Sequence, residues 1–272
     1  MKKIPLTVGC LLLATQAMGG AWARPMGTTY AKLSTLSYAA NEVFNDMGDR
    51  QRMGMDDEEF TGRQGFLYVE HGWRHRLTLV GQLSGGVLTS SNRLVRQRTR
   101  GIGDAEIGLK MQLVDQPLVL SSMATVKIPT GYHDKYDPPL GTGKADFEAR
   151  LLAAKSLWPL PVYLGAEIGY RFRGGPFSNQ LAAFAEVGAT PHERLFIKGF
   201  VDMRDTRAAA AENVGLVGAG QQVSEGDITR AGLNGAVLLH RGVWLDLLVE
   251  WAASGENVGA GATWGIGLSY GG

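Results

Sequence analysis

The sequence predicts an all-β protein, a transmembrane antiparallel up-and-down β-barrel of about twelve strands, and three observations support this. From Gly101 to Tyr270 a unit of roughly a dozen residues, with alternating apolar and polar side chains, repeats between turns. A period of two places alternate side chains on opposite faces of a sheet. A tilted strand of about nine to eleven residues is long enough to cross the hydrocarbon core of a bilayer. Short and long connections also alternate along the chain.

The first element is a predicted secretory signal peptide at residues 1–23. Two lysines precede an apolar run at residues 6–14, and Ala21-Trp22-Ala23 forms an A-x-A cleavage site. An uncleaved anchor is the alternative, but the apolar run is too short to span a membrane. We therefore expect a mature chain of residues 24–272 that forms one outer-membrane barrel domain.

Charge and cysteine content exclude some classes of function. The chain carries 27 Lys and Arg against 26 Asp and Glu, and removal of Lys2 and Lys3 changes its formal charge from +1 to −1. This balance gives no reason to expect nucleic acid as a partner. Cys10 is the only cysteine and lies in the predicted signal, so disulfides would not stabilise the mature chain.

Alternation and turn residues together define the remaining elements. The predicted strands are 28–43, 58–72, 76–89, 101–114, 118–129, 144–157, 162–174, 179–190, 195–206, 227–240, 243–254 and 260–270. The longer connections are 44–57, 90–100, 130–143, 175–178, 207–226 and 255–259. Bacterial outer-membrane barrels have short turns on the periplasmic side, so we expect both termini there.

Alternation alone does not say which face points outward, and a soluble secreted β-sandwich is the alternative. The apolar faces are nearly uniform in aliphatic residues, as lipid requires, and the signal peptide supplies a route to the envelope. Aromatic residues near strand ends suggest interfacial girdles. These residues are Trp73, Trp158, Tyr163, Trp251 and Trp264.

If the apolar face is outward, the inward face carries charges in mid-strand. The predicted pore-lining residues are Glu106, Lys110, Glu148, Arg150, Glu167, Arg171, Arg173, Asp202, Arg204, Arg230, Asp246 and Glu250. Buried ions require partners or water. Two interpretations stay open: the charges line a narrow aqueous path, or they form a salt-bridged plug that fills the barrel.

Three loops carry further signals. Four arginines within residues 93–100 could bind lipopolysaccharide phosphates or anionic solutes, or be ordinary solvated loop charge. The segment TGYHDKYDPPLGTG, residues 130–143, either constricts the pore mouth or forms a rigid surface turn. The acidic residues in 44–59 lack the spacing of an EF-hand. We expect no metal and no cofactor.

Four segments together resemble the outer-membrane transporter family named for the MetA pathway of phenol degradation. They are FLYVEHGWRHRLTLVG (66–81), GIGDAEIGLKMQL (101–113), KIPTG (127–131) with LGTGKADFEARL (140–151), and LGAEIGYRFRG (164–174). The resemblance implies a closed outer-membrane barrel, and the family label implies passage of small organic molecules, including aromatic ones. One departure is that Gly271 and Gly272 follow Tyr270, where such barrels usually end in an aromatic residue.

These observations predict a non-enzymatic channel for passive passage of small solutes through a charged lumen. The expected partners are outer-membrane lipid, lipopolysaccharide, the barrel-assembly machinery and a small-molecule solute. A sealed structural or adhesive barrel that acts through its loops is one alternative. An outer-membrane hydrolase is another, with His133 beside Asp134 and Asp137 as its candidate base.

Overall fold

A computed structural model describes residues 20–54, 58–132, 137–206, 217–218, 221–222 and 226–272. Its main feature is a closed antiparallel barrel of twelve strands, which confirms the predicted fold class. The strands are β1 (Thr29–Ala40), β2 (Glu59–Arg74), β3 (Leu77–Ser91), β4 (Arg96–Val114), β5 (Val119–Ile128), β6 (Asp146–Ser156), β7 (Val162–Arg173), β8 (Gln180–His192), β9 (Leu195–Thr206), β10 (Asp227–His240), β11 (Val243–Glu256) and β12 (Ala262–Gly271).

Each strand pairs with its neighbours in chain order, and β1 closes the barrel against β12. Tyr30 lies opposite Gly271 in this closing pair. Beyond it, the backbone N–H of Thr29 donates to the carbonyl of Gly272 at 2.9 Å, and the N–H of Gly272 donates back at 3.0 Å. The start of β1 and the end of β12 therefore meet at the barrel end that carries the short turns.

Three strands, β3, β4 and β11, extend further at the long-loop end than predicted. β4 begins at Arg96 rather than at residue 101, because Arg96 to Arg100 continue the ladder with β3 up to Ser91. The prediction of a loop over residues 90–100 was therefore wrong for residues 96–100. A small sheet of Glu42–Phe44, Arg50–Arg52 and Val258–Gly259 lies at the same end.

Most of the predicted connection 207–226 lies outside the described residues, although Val217–Gly218 pairs with Gln221–Gln222. No helix among the described residues is long and apolar enough to cross a membrane.

The outer surface of the barrel is apolar. Ile107 is 57% exposed on β4 and Trp264 is 66% exposed on β12. Trp73, Trp158 and Trp251 are exposed as well, as expected for aromatic girdles. An exposed apolar surface of this extent is unusual for a soluble protein and suits contact with lipid.

Tyr163 does not follow the girdle prediction. It points into the barrel, where it is 5% exposed and stacks on Phe196. Gly188 lies opposite Tyr163 on β8, and a Cβ at Gly188 would collide with the tyrosine ring. The ring therefore occupies space that the glycine leaves free.

Candidate channel lumen

Charged side chains from distant strands meet inside the barrel. Arg204 on β9 lies 3.6 Å from Glu148 on β6 (Nη1 to Oε1), although two strands separate β6 from β9. Arg171 on β7 likewise lies 3.6 Å from Glu106 on β4 (Nη2 to Oε1). Contacts of this kind are possible only across the interior, so the polar faces of these strands point inward.

Glu148 is the centre of the densest group of charges. Its carboxylate accepts hydrogen bonds from the Nε atoms of Arg150 at 2.6 Å and Arg171 at 2.7 Å. Arg150 also reaches Glu167, with Nη1 and Oε2 3.2 Å apart. Glu148 is 2% exposed, so these arginines replace the water that the buried carboxylate has lost. We call Glu148, Arg150, Arg171 and Arg204 the Glu148 cluster.

Other ion pairs continue along the inner wall. Asp202 lies 3.5 Å from Arg204 (Oδ1 to Nε) and 3.4 Å from Arg230 (Oδ2 to Nη1). Lys198 donates to Glu186 at 2.8 Å. On the opposite side of the barrel, Lys32 on β1 donates to Asp246 on β11 at 2.9 Å, and Ser269 donates to the other oxygen of Asp246 at 2.7 Å.

The charged walls leave three adjoining cavities. The largest, about 460 Å³, is lined by polar residues such as Arg150, Arg204 and Glu250. A cavity of about 290 Å³ lies beside Asp246 and one of about 150 Å³ lies nearer the short turns. Tyr68 and Gln82 line all three cavities. The open interior of the barrel is therefore a series of chambers separated by side chains. The chamber beside Asp246 has a mostly apolar wall that includes Phe66 and Leu248.

An apolar patch interrupts the charges of the largest cavity. Phe184 on β8 and Phe200 on β9 stack with ring centroids 5.8 Å apart. The Nζ atom of Lys198 lies 5.8 Å from each ring. One wall of the cavity thus offers two aromatic rings with an ammonium group beside them.

Residues 20–24 enter the barrel at the short-turn end. Lys110 Nζ donates to the Gly20 carbonyl at 2.9 Å and to Glu70 at 3.0 Å. The side chain of Arg24 reaches the same Glu70, with Nε and Oε2 3.3 Å apart. Trp22 packs edge-on against Tyr163, with centroids 5.5 Å apart. This inner segment narrows the barrel at that end.

Residues 20–23 belong to the predicted signal peptide, so they narrow the lumen only in a chain that retains them. Arg24 follows the predicted cleavage site. Its backbone N–H donates to Thr78 at 2.8 Å, and its guanidinium lies 4.8 Å from the ring of Tyr30. Arg24 is thus held inside the barrel by contacts of its own.

At the other end, the described part of the loop 130–143 folds into the mouth of the barrel. Leu140 is buried against Tyr38, Phe60 and Leu88. Tyr132 donates to Asp104 at 2.6 Å. Burial of the phenol and this hydrogen bond raise the pKa of Tyr132 above its usual value. These contacts hold the described part of the loop in the barrel mouth, and the constriction stays a prediction; residues 133–136 lie outside the described part.

Most of the predicted pore-lining residues border the cavities. Those in the linings of the three cavities are Glu106, Lys110, Arg150, Glu167, Asp202, Arg204, Asp246 and Glu250. Arg230 lies outside these linings and pairs with Asp202. Glu148 and Arg171 support them from the cluster. Arg173 differs: it ends β7 beside Asp146 and lies over Phe177, 4.6 Å from the ring centroid.

Sequence reasoning missed several residues of the lumen. Phe184 shares the inward face of β8 with Glu186, and Phe200 shares that of β9 with Lys198. An aromatic residue in the polar phase of a strand was the available signal. Tyr68 and Gln82 were not recognised either, because neither is charged.

The described residues contain no group of three or more His, Cys, Asp and Glu placed to hold a metal ion. His133, the candidate base of the hydrolase alternative, lies outside the described residues.

Comparisons with known proteins identify the fold. The COG4313 outer membrane channel from Pseudomonas putida F1 is similar, with a TM-score of 0.76, 15% identity, and coverage of 93% of this chain and 98% of that one. The NanC porin gives a TM-score of 0.53 at 7% identity, covering 88% of this chain and 98% of that one. A KdgM porin in complex with disordered oligogalacturonate gives a TM-score of 0.52 at 6% identity, covering 87% of this chain and 98% of that one.

The chain therefore has the fold of outer-membrane β-barrels. No family model and no curated protein matches the sequence, so the resemblance to the phenol-degradation family stays a prediction.

Proposed function

We propose that the protein is an outer-membrane channel for passive passage of small organic solutes, aromatic ones included, with both termini in the periplasm. The single observation that carries this proposal is the series of cavities inside a closed barrel whose outer face is apolar. A barrel that served only as a scaffold would gain more from an apolar, close-packed interior, because buried ion pairs are weak sources of stability.

The composition of the inner wall supports a preference among solutes. Both acids and bases line the largest cavity, so strongly charged ions meet both signs. The Phe184–Phe200 patch beside Lys198 offers contact to a planar apolar group that carries a negative charge. Small organic anions with an aromatic ring fit these contacts.

Single-channel recording tests the proposal. The chain 24–272, refolded and inserted into a planar bilayer, should give discrete conductance steps. Matched recordings of the chain 20–272 measure the effect of Gly20 to Ala23, which narrow the short-turn end. A folded barrel that gives no steps in either form would refute the channel.

A sealed barrel is the second candidate, and the inner segment favours it. Trp22 and Ala21 join two apolar clusters that reach across the short-turn end, from Tyr163 and Trp244 on one side to Val119 on the other. Conductance in the chain 24–272 together with its absence in 20–272 would assign the seal to these residues.

We also propose the remaining partners expected from the sequence: outer-membrane lipid around the apolar band, and the barrel-assembly machinery during insertion. Tyr270 is half-exposed on β12 and is followed by Gly271 and Gly272. Impaired insertion of a Tyr270→Ala variant into membranes would support recognition of this position.

A further inference from the structure

A row of arginines continues the lipid-facing side of β4 beyond its apolar part. Ile107 and Ile102 are 57% and 56% exposed on the outer face of this strand. The next residues on the same face are Arg100, Arg98 and Arg96, all exposed. Thr99, between them, is buried on the inner face. The outer face thus changes from aliphatic to basic without a gap.

A β-bulge determines this direction. Ala105 pairs with Leu83, but Ile102 pairs with Gly85, so β4 contains one extra residue in this interval. One extra residue exchanges the two faces of a strand. Without the bulge, Arg96, Arg98 and Arg100 would point toward the inside of the barrel.

The height of the row matches the edge of a membrane. The apolar part of the outer face runs from Leu113 to Ile102. At about 3.3 Å per residue and a tilt of about 45°, that length corresponds to a rise of roughly 25 Å, which is the height of the apolar band in such barrels. Arg100 follows directly, where lipid phosphates lie.

A fourth arginine widens the basic surface. Arg63 on β2 is exposed and pairs with Val87 on β3, which in turn pairs with Arg100. Two strand spacings place Arg63 about 10 Å from Arg100 along the sheet. Within the described ranges, Arg63, Arg96, Arg98 and Arg100 form no ion pair. Glu59, opposite Ser91, is the acid at the top of this surface.

We propose that Arg63, Arg96, Arg98 and Arg100 bind the phosphate groups of lipid A, the membrane anchor of lipopolysaccharide. The proposal uses the orientation given above, with the short turns in the periplasm, which puts the arginines at the outer leaflet. Guanidinium groups bind phosphate through paired hydrogen bonds, and the adjacent aliphatic surface of β4 accommodates the acyl chains. The bound lipid would hold the β3–β4 extension at the membrane surface.

The test compares lipid A binding by two triple variants of the full refolded barrel. R96Q/R98Q/R100Q removes the row, and R74Q/R194Q/R241Q removes three exposed arginines from the short turns. Each arginine near a charged lipid surface contributes to the binding free energy, and the loss of three should weaken the binding of lipid A by about a hundredfold. The control variant should bind as the unchanged protein does.

Three outcomes would overturn the proposal: equal weakening in both variants, no weakening in the first, or equal binding of dephosphorylated lipid A. Binding of phosphatidylglycerol as tight as that of lipid A would also contradict the proposal, since the arginines would then bind anionic lipids in general. Heat-modifiable migration on gels confirms that each variant is folded. Channel conductance is measured separately, so failure of lipid binding and failure of the channel are distinguishable.

Discussion

Glu148→Gln is the substitution that perturbs the lumen most directly. The carboxylate is 2% exposed and accepts hydrogen bonds from Arg150 and Arg171, while Arg204 lies 3.6 Å away. Glutamine keeps the shape of the side chain but removes its charge. Three guanidinium groups then lose the anion that holds them together.

The expected loss of stability follows from burial. Removing one partner from a fully buried ion pair costs about 3–5 kcal/mol. Arg150 and Arg171 retain 21% and 16% exposure, so water of the lumen replaces part of the lost interaction. We therefore expect a decrease in the free energy of unfolding of about 2 kcal/mol, below that range. Denaturant titration in detergent, followed by tryptophan fluorescence, measures it.

The same substitution should change ion selectivity. It removes one negative charge from the cluster beside the lumen, which changes the electrostatic energy of an ion that passes at about 7 Å in water by about 0.6 kcal/mol. Because this energy is favourable for an anion and unfavourable for a cation, the anion-to-cation permeability ratio should rise about sevenfold. Reversal potentials in a salt gradient measure this ratio.

Glu193→Gln is the matched control, since Glu193 is exposed in the turn between β8 and β9. It changes the formal charge equally and lies outside the lumen. Equal effects of the two substitutions on reversal potential, or no effect of Glu148→Gln on either quantity, would refute the assignment of Glu148 to the charged interior beside the lumen.

Four further predictions follow from other parts of the lumen. Arg171→Glu should shift selectivity toward cations more than Arg173→Glu does, because Arg173 lies beyond the cavities; equal reversal potentials would contradict this. Trp22→Ala in the chain 20–272 should raise single-channel conductance, and an unchanged conductance would mean that Trp22 does not narrow the conducting path. Phe200→Ala should weaken block of the current by benzoate at least as much as it weakens block by acetate. A larger effect on block by acetate would argue against an aromatic site. Tyr132→Phe removes the hydrogen bond to Asp104 and should lower the free energy of unfolding by about 1 kcal/mol, with no change taken as evidence against that bond.

Strand number, order and facing could be predicted because they depend on local alternation. The faces of β7 illustrate this: Leu164 and Ile168 are exposed, while Glu167 and Arg171 form ion pairs inside. Local alternation also explains two errors. Tyr163 belongs to the inward phase of β7 despite its place at a strand end, and the bulge in β4 changes the phase of Arg96 to Arg100.

The arrangement of the lumen could be predicted only in part. Mid-strand charges indicated a polar interior, but the pairing of Glu148 with Arg204 depends on barrel closure, which brings β6 and β9 within reach of each other. Pairs between adjacent strands are encoded in register, whereas contacts across the lumen depend on tilt and side-chain length. The entry of Trp22 into the barrel left no periodic signal in the sequence.

Single-channel recording of the refolded chain 24–272, with and without Glu148→Gln, tests whether the charged interior is an open path. We expect discrete conductance steps whose anion preference increases in the variant. A folded, heat-modifiable barrel that carries no current in either form would contradict it, and the charged interior would then be a plug.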